Sequence, residues 1–140
     1  MDIKKLSTSF VSAFFIASCA APAHQRTPEE NLFTDLALAM CMGSAFENEA
    51  VKDDFNKSAN GYIQRGNLPI EALDEIRNLI NTWLLKDYSS KHGGQVQSAK
   101  CLDLRHSSEL AEIYKKHDPC KSRGNWLDPS EYKTQCASSN

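Results

Sequence analysis

The chain is predicted to be all-α: a compact bundle of about four to five helices with a disulfide-stapled irregular C-terminal tail. Three observations predict it. Apolar residues recur every three or four positions through most of the chain, and little of it alternates as a strand would. Glycine and proline fall between the periodic stretches, at Gly66, Gly93-Gly94 and Pro119. At 140 residues there is material for one domain and one modest core. A hydrophobic share of 41% and a charged share of 24% are ordinary for a globular protein. The formal net charge of -2 gives no basic footprint for nucleic acid, and the acid excess is too small for an acidic tail.

The N-terminus departs from that average. Lys4 and Lys5 precede an apolar run, Leu6 to Ala17, and small residues follow. This is the layout of a secretory signal peptide, and the run is shorter than the roughly 20 apolar residues a bilayer span requires. Two exits are open. Ala21-Pro22-Ala23 is an A-x-A site, which makes residues 1–23 the signal peptide. Ile16-Ala17-Ser18-Cys19 resembles a lipobox, which ends the signal at 18 and leaves Cys19 lipidated. Cleavage after Ala23 is favoured, because Ile16 is a weaker first lipobox residue than leucine. Either exit puts the protein in the periplasm, soluble in the first case and lipid-anchored in the second.

Residues 24–30 read as a short polar linker, ahead of a helical domain at 31–118 and a tail at 119–140. The first helix is expected over Leu32–Phe46, from the spacing of Leu32, Leu36, Ala39 and Met40, with Glu29 and Glu30 near its positive end. A second, more polar helix runs from Glu49 to Arg65, with Val51, Phe55, Ala59, Tyr62 and Ile63 on one side and Gly66 as its stop. A third begins at Pro69, with Asn67 or Leu68 as cap and Glu71, Asp74 and Glu75 crowding its start. Ile70, Leu73, Ile76, Ile80, Trp83 and Leu84 form its apolar stripe. "DYSSKHGG", Asp87–Gly94, breaks the pattern. A short helix over Ser98–Arg105 and another over Ser108–Lys116, capped by Ser107, complete the set.

The tail "CKSRGNWLDPSEYKTQC" shows no helical period and would hold poorly alone. Of the five cysteines, Cys19 leaves with the signal peptide or carries lipid, so Cys41, Cys101, Cys120 and Cys136 remain. In an exported protein these are structural by default. A Cys120–Cys136 bridge would staple the tail and let Trp126 pack inward, leaving Cys41 to pair with Cys101. Four cysteines allow three connectivities, and spacing does not choose among them.

No catalytic or metal constellation stands out, and neither catalytic residues, cofactor nor metal is expected. His106, His117 and Cys120 fit no usual zinc spacing. His117 suits a last helical turn, where a cation is favourable. Glu71, Asp74 and Glu75 read as first-turn residues on the solvent side of their helix. "DYSSKHGG" sets one aromatic, two hydroxyls, a cation and an imidazole beside two glycines on a helical frame. Such a loop suits recognition, though a plain helix stop explains it as well.

Two stretches carry a resemblance. "GYIQRGNLPIEALDEIRNLI", Gly61–Ile80, and "YSSKHGGQVQSAKCLDLRHSSELAEIYKK", Tyr88–Lys116, resemble the immunity proteins that protect bacteria from type VI secretion amidases. The group is the one paired with the fourth family of those amidases, and "DLALAMCMGSAF", Asp35–Phe46, is similar to its first helix. The resemblance implies an all-helical periplasmic homodimer that binds and occludes a secreted peptidoglycan amidase of the Cys–His type. It implies that the loop between the third and fourth helices enters the amidase cleft. Here that loop is Tyr88, Ser89, Ser90, Lys91, His92, Gly93, Gly94 and Gln95. It further implies that the start of the long helix, Asn67–Glu75 with Glu71 and Asp74, lies near the partner. The helix-to-helix disulfide of the family maps to Cys41 and Cys101. Two alternatives stand beside it: a helical cell-envelope adaptor or lipoprotein, and a small periplasmic hydrolase using His92 with Asp87 or Asp103.

Overall fold

Thr27 starts the fold. Its side chain accepts the Glu30 N–H at 3.1 Å, Pro28 takes the first helical position, and Glu29 and Glu30 occupy the positive end. The computed structural model describes residues 25–122, 124 and 126–137, so the signal-peptide stretch 1–23 and Cys19 lie outside the described residues. Helix α1 runs Pro28–Ala45, α2 Glu49–Arg65, α3 Ile70–Leu84, α4 Gln97–Arg105, α5 Ser108–His117 and α6 Pro129–Gln135, with a 3-10 turn at Pro119–Lys121. The capping threonine and Pro28 carry α1 back into the segment expected as linker.

Helix α1 is the axis of the fold, in contact with each of the other five described helices. Phe33, Leu36, Ala37 and Cys41 are fully buried on it, while Leu32 and Met40 are half-buried. A helix covered from several sides needs no single apolar stripe, and for that reason periodicity found only part of its buried set. Phe33 lies 5.2 Å, ring to ring, from Tyr114 of α5. Ile76 and Ile80 of α3, Leu104 of α4 and Leu110 of α5 complete the core. Each such side chain contributes roughly 1.5–3 kcal/mol by leaving water.

On α3 the stripe turns differently from the one expected. Ala72 is fully buried and Ile70, at the first helical position, is 69% exposed. The cap expected at Asn67 or Leu68 is absent: Pro69 holds the cap position with no side-chain bond, and the Asn67 N–H donates to Glu29 Oε1 at 2.8 Å. Glu29 is fully buried, and its Oε2 has no partner among the described residues. Burial, joined by the nearby charge of Asp118, pushes its carboxyl up; the Asn67 N–H works against both.

Two disulfides close the molecule. Cys41–Cys101 joins α1 to α4 inside the core, and Cys120–Cys136 ties the 3-10 turn to the end of α6. Their sequence separations of 60 and 16 correspond to roughly 4 and 3 kcal/mol in the chain-entropy account. The tail is less irregular than its sequence suggests. Asp128 accepts the Ser130 N–H at 2.7 Å and caps α6. Trp126 packs inward, donates to the Pro119 carbonyl at 3.2 Å and meets the Tyr132 ring edge-on at 5.8 Å. No described helix is long and apolar enough to cross a membrane.

Candidate functional site

The segment between α3 and α4 is a miniature hairpin. Ser89 and Gln95 form an antiparallel bridge, and Val96 N–H donates to Tyr88 O at 2.9 Å. At the tip, Gly93 N–H donates to Ser90 O at 3.0 Å and Ser90 N–H to Gly94 O at 2.9 Å. A three-residue connection of this kind needs a left-handed residue at its third position. Gly93 supplies it with φ 91°, and Gly94 follows at φ 76°. His92 N–H donates to the Ser90 hydroxyl at 3.1 Å, and Lys91 and His92 are both exposed.

Side chains hold the base of the hairpin. The Gln95 amide spans it: its Oε1 accepts the Tyr88 N–H at 2.8 Å, and its Nε2 donates to Asp87 Oδ1 at 2.7 Å. Ser89 also donates its hydroxyl to Asp87. These bonds, Gln95 first, hold the Asp87 carboxyl below its usual range. The Tyr88 hydroxyl donates to Asp103 Oδ2 of α4 at 2.9 Å, which raises the phenol. One turn before Asp103, Lys100 is only 2% exposed and donates its ammonium to the Leu84 carbonyl at 2.8 Å, a cation set at the C-terminal end of α3. Lys86 lies over the Trp83 ring, 3.2 Å from its centre.

Sequence reasoning grouped Glu71 and Asp74 with the hairpin, and the structure separates them. Both are exposed near the start of α3, while the hairpin leaves its other end, a distance of roughly 15–20 Å at 1.5 Å per residue. Asp74 pairs with Arg77 at 2.6 Å. Glu75 binds Lys116 at 2.5 Å and His117 at 3.1 Å, which together hold its carboxyl low. Glu75 thus ties α3 to α5 and is no free acid. A hydrolytic pairing finds no support here, since Asp87 is taken by Gln95 and Ser89 and Asp103 by Tyr88. The zinc set is dispersed as well, because Cys120 is bonded to Cys136 and His117 to Glu75. Sequence reasoning missed Lys100 and Asp103 as supports; their partners, Leu84 and Tyr88, lie 16 and 15 residues away and meet them only on folding.

A separate polar groove of about 640 Å³ lies where α1, the α2–α3 turn and the tail meet, with Asp35, Arg65, Trp126 and Glu131 on its walls.

A disulfide-bonded helical frame that presents a polar hairpin has the form of a small binding module. The chain belongs to the family of type VI secretion system amidase immunity proteins, Tai4, whose model matches residues 31–114. It is similar in structure to a chain of the effector–immunity system Tae4/Tai4 from Salmonella typhimurium, with a TM-score of 0.61 and 25% identity over 64% of this chain and 88% of that one. A chain of the type VI Tae4–Tai4 complex from Enterobacter cloacae shares the fold, with a TM-score of 0.57 and 21% identity over 61% of this chain and 87% of that one. A chain among the type VI-secreted toxins and self-resistance proteins of Serratia marcescens shares it too, with a TM-score of 0.59 and 20% identity over 79% and 88%. No curated protein matches the chain.

Proposed function

We propose that this chain is a periplasmic antidote that occludes the active site of a type VI secreted peptidoglycan amidase, and that it performs no reaction of its own. The observation that carries the reading is the preformed hairpin, whose exposed tip presents Lys91, His92 and two glycines beyond the helical frame. A cleft that admits a peptide stem admits a thin chain, and Gly93-Gly94 lets the backbone approach its walls closely. Ser89, Ser90, Lys91 and His92 offer hydrogen bonds to those walls, and Tyr88 offers an aromatic anchor at the base. A hairpin already formed binds without a large ordering cost. Membership of the amidase immunity family supports the partner class, here a Cys–His amidase. Glu71 and Asp74 then belong to an outer part of the same interface, which at a standard size of roughly 800 Å² per partner reaches that far.

The test is calorimetry of the mature chain against its cognate Tae4-type amidase. Tight binding and loss of amidase activity are expected from the intact chain, and neither from a chain lacking residues 90–94 that keeps its thermal midpoint. Full inhibition by the shortened chain would reject the hairpin as the blocking element. Export follows from the same reading. The mature N-terminal mass should correspond to cleavage after Ala23; a diacylglyceryl adduct on Cys19 would instead make it a lipoprotein. The homodimer is checked by light scattering, where a monomer at micromolar concentration would reject it.

A further inference from the structure

Hairpins this short do not hold themselves together. One antiparallel bridge and two tip bonds leave the Tyr88–Gln95 segment with fewer strand pairs than an isolated hairpin needs in water. The missing order comes from two side chains that the tip does not contain. The Gln95 amide uses both of its ends inside the molecule, one on the Tyr88 N–H and one on Asp87. Asp103 holds the Tyr88 hydroxyl from α4, on a helix that Lys100 fastens to the end of α3 and the buried disulfide fastens to α1.

We propose that Gln95 and Asp103 are positioning residues: they hold the hairpin in its binding shape before the partner arrives and need make no contact with the partner themselves. Gln95 is thereby moved from the contact surface, where the family resemblance put it, to the strap beneath. This inference rests on the reading of the hairpin as the blocking element. A hairpin released from its strap samples shapes that do not fit the cleft, and apparent affinity falls by the fraction of time spent in the fitting one. The fold loses little, because Gln95 and Asp103 are both exposed and neither belongs to the core.

The experiment uses the full mature chain and its cognate Tae4-type amidase as probe. Affinity and association rate are measured for Gln95→Ala, Asp103→Ala, Asp103→Asn and Tyr88→Phe. Gln95→Ala and Asp103→Ala should weaken binding about tenfold or more through slower association, with thermal midpoints held within a few degrees. Asp103→Asn, which keeps an acceptor oxygen for the Tyr88 hydroxyl, should recover most of the loss. Tyr88→Phe combined with Asp103→Ala should bind no worse than the weaker single variant, since both remove the same bond. Wild-type affinity in Gln95→Ala and Asp103→Ala, or additive losses in the pair, would overturn the positioning role. The chain lacking residues 90–94 separates the two failures. If it binds as tightly as wild type, the hairpin reading itself is wrong. If it fails to bind while Gln95→Ala and Asp103→Ala bind normally, only the strap is wrong.

Discussion

Around α1, Phe33, Leu36, Ile76 and Leu104 are sealed from water, and Cys41–Cys101 crosses the same volume. Between α3 and α4, residues 91–95 are all exposed and shape depends on the Gln95 amide and on the acceptor carboxylates of Asp87 and Asp103. The first region is ordered mainly by apolar burial, which tolerates no hole. The second is ordered by a few polar bonds, each of modest net worth. If the hairpin is the blocking element proposed above, stability and partner recognition reside in different side chains, and substitutions should move one without the other.

The strongest challenge to that separation is Phe33→Ala. It opens a cavity against Tyr114 and should cost about 3–5 kcal/mol in denaturant titration, with affinity for the amidase unchanged in the fraction that remains folded. A fall in intrinsic affinity would show that core and hairpin are coupled. Next in size is Gly93→Val. A Cβ at Gly93 meets no atom within 4 Å, so the cost is that of the left-handed backbone alone, about 1–2 kcal/mol in the hairpin. Binding should weaken while the thermal midpoint stays within a few degrees. A midpoint that falls as far as that of Phe33→Ala would break the comparison.

The smallest effect probes a buried carboxyl, that of Glu29. Burial raises the Glu29 carboxyl, so the folded state holds its proton to higher pH than the unfolded chain does. Stability from this group is fully present below the ordinary carboxylate range and is lost as pH rises through the raised folded value. Glu29→Gln removes that loss and still accepts the Asn67 N–H. The midpoint of the variant should gain on wild type as pH rises from 4 to 8. A constant difference across that range would mean that Glu29 does not titrate as its burial requires.

Much of the frame was legible in the sequence. Helix α2 runs from Glu49 to Arg65 as its polar–apolar spacing and Gly66 indicate, and Ser107 caps α5 as expected. Helix α6 was not legible from period, because its seven residues span only two turns. Its mark lay in the cap, Asp128-Pro129 followed by Glu131, a signature that works at any length. The break between α3 and α4 was legible at Gly93-Gly94, though as a loop and not as a hairpin. The hairpin was not legible where it depends on residues brought together by folding, because nothing local links Tyr88 to Asp103 or Leu84 to Lys100. Phe33 was missed for a similar reason: α1 is covered on several sides, and no single stripe records that.

The two disulfides differ in one further respect. Cys41 and Cys101 have no exposed surface, whereas Cys120 and Cys136 are half-buried beneath a two-turn helix. A thiol reagent attacks sulfur only where it can reach it. The tail bridge should therefore open through local fraying, at a rate set by reagent concentration. The core bridge must wait for the whole bundle to open, at a rate set by the protein. Under a mild reductant the molecule should keep time with two clocks, shedding its tail long before it surrenders the frame that carries the hairpin.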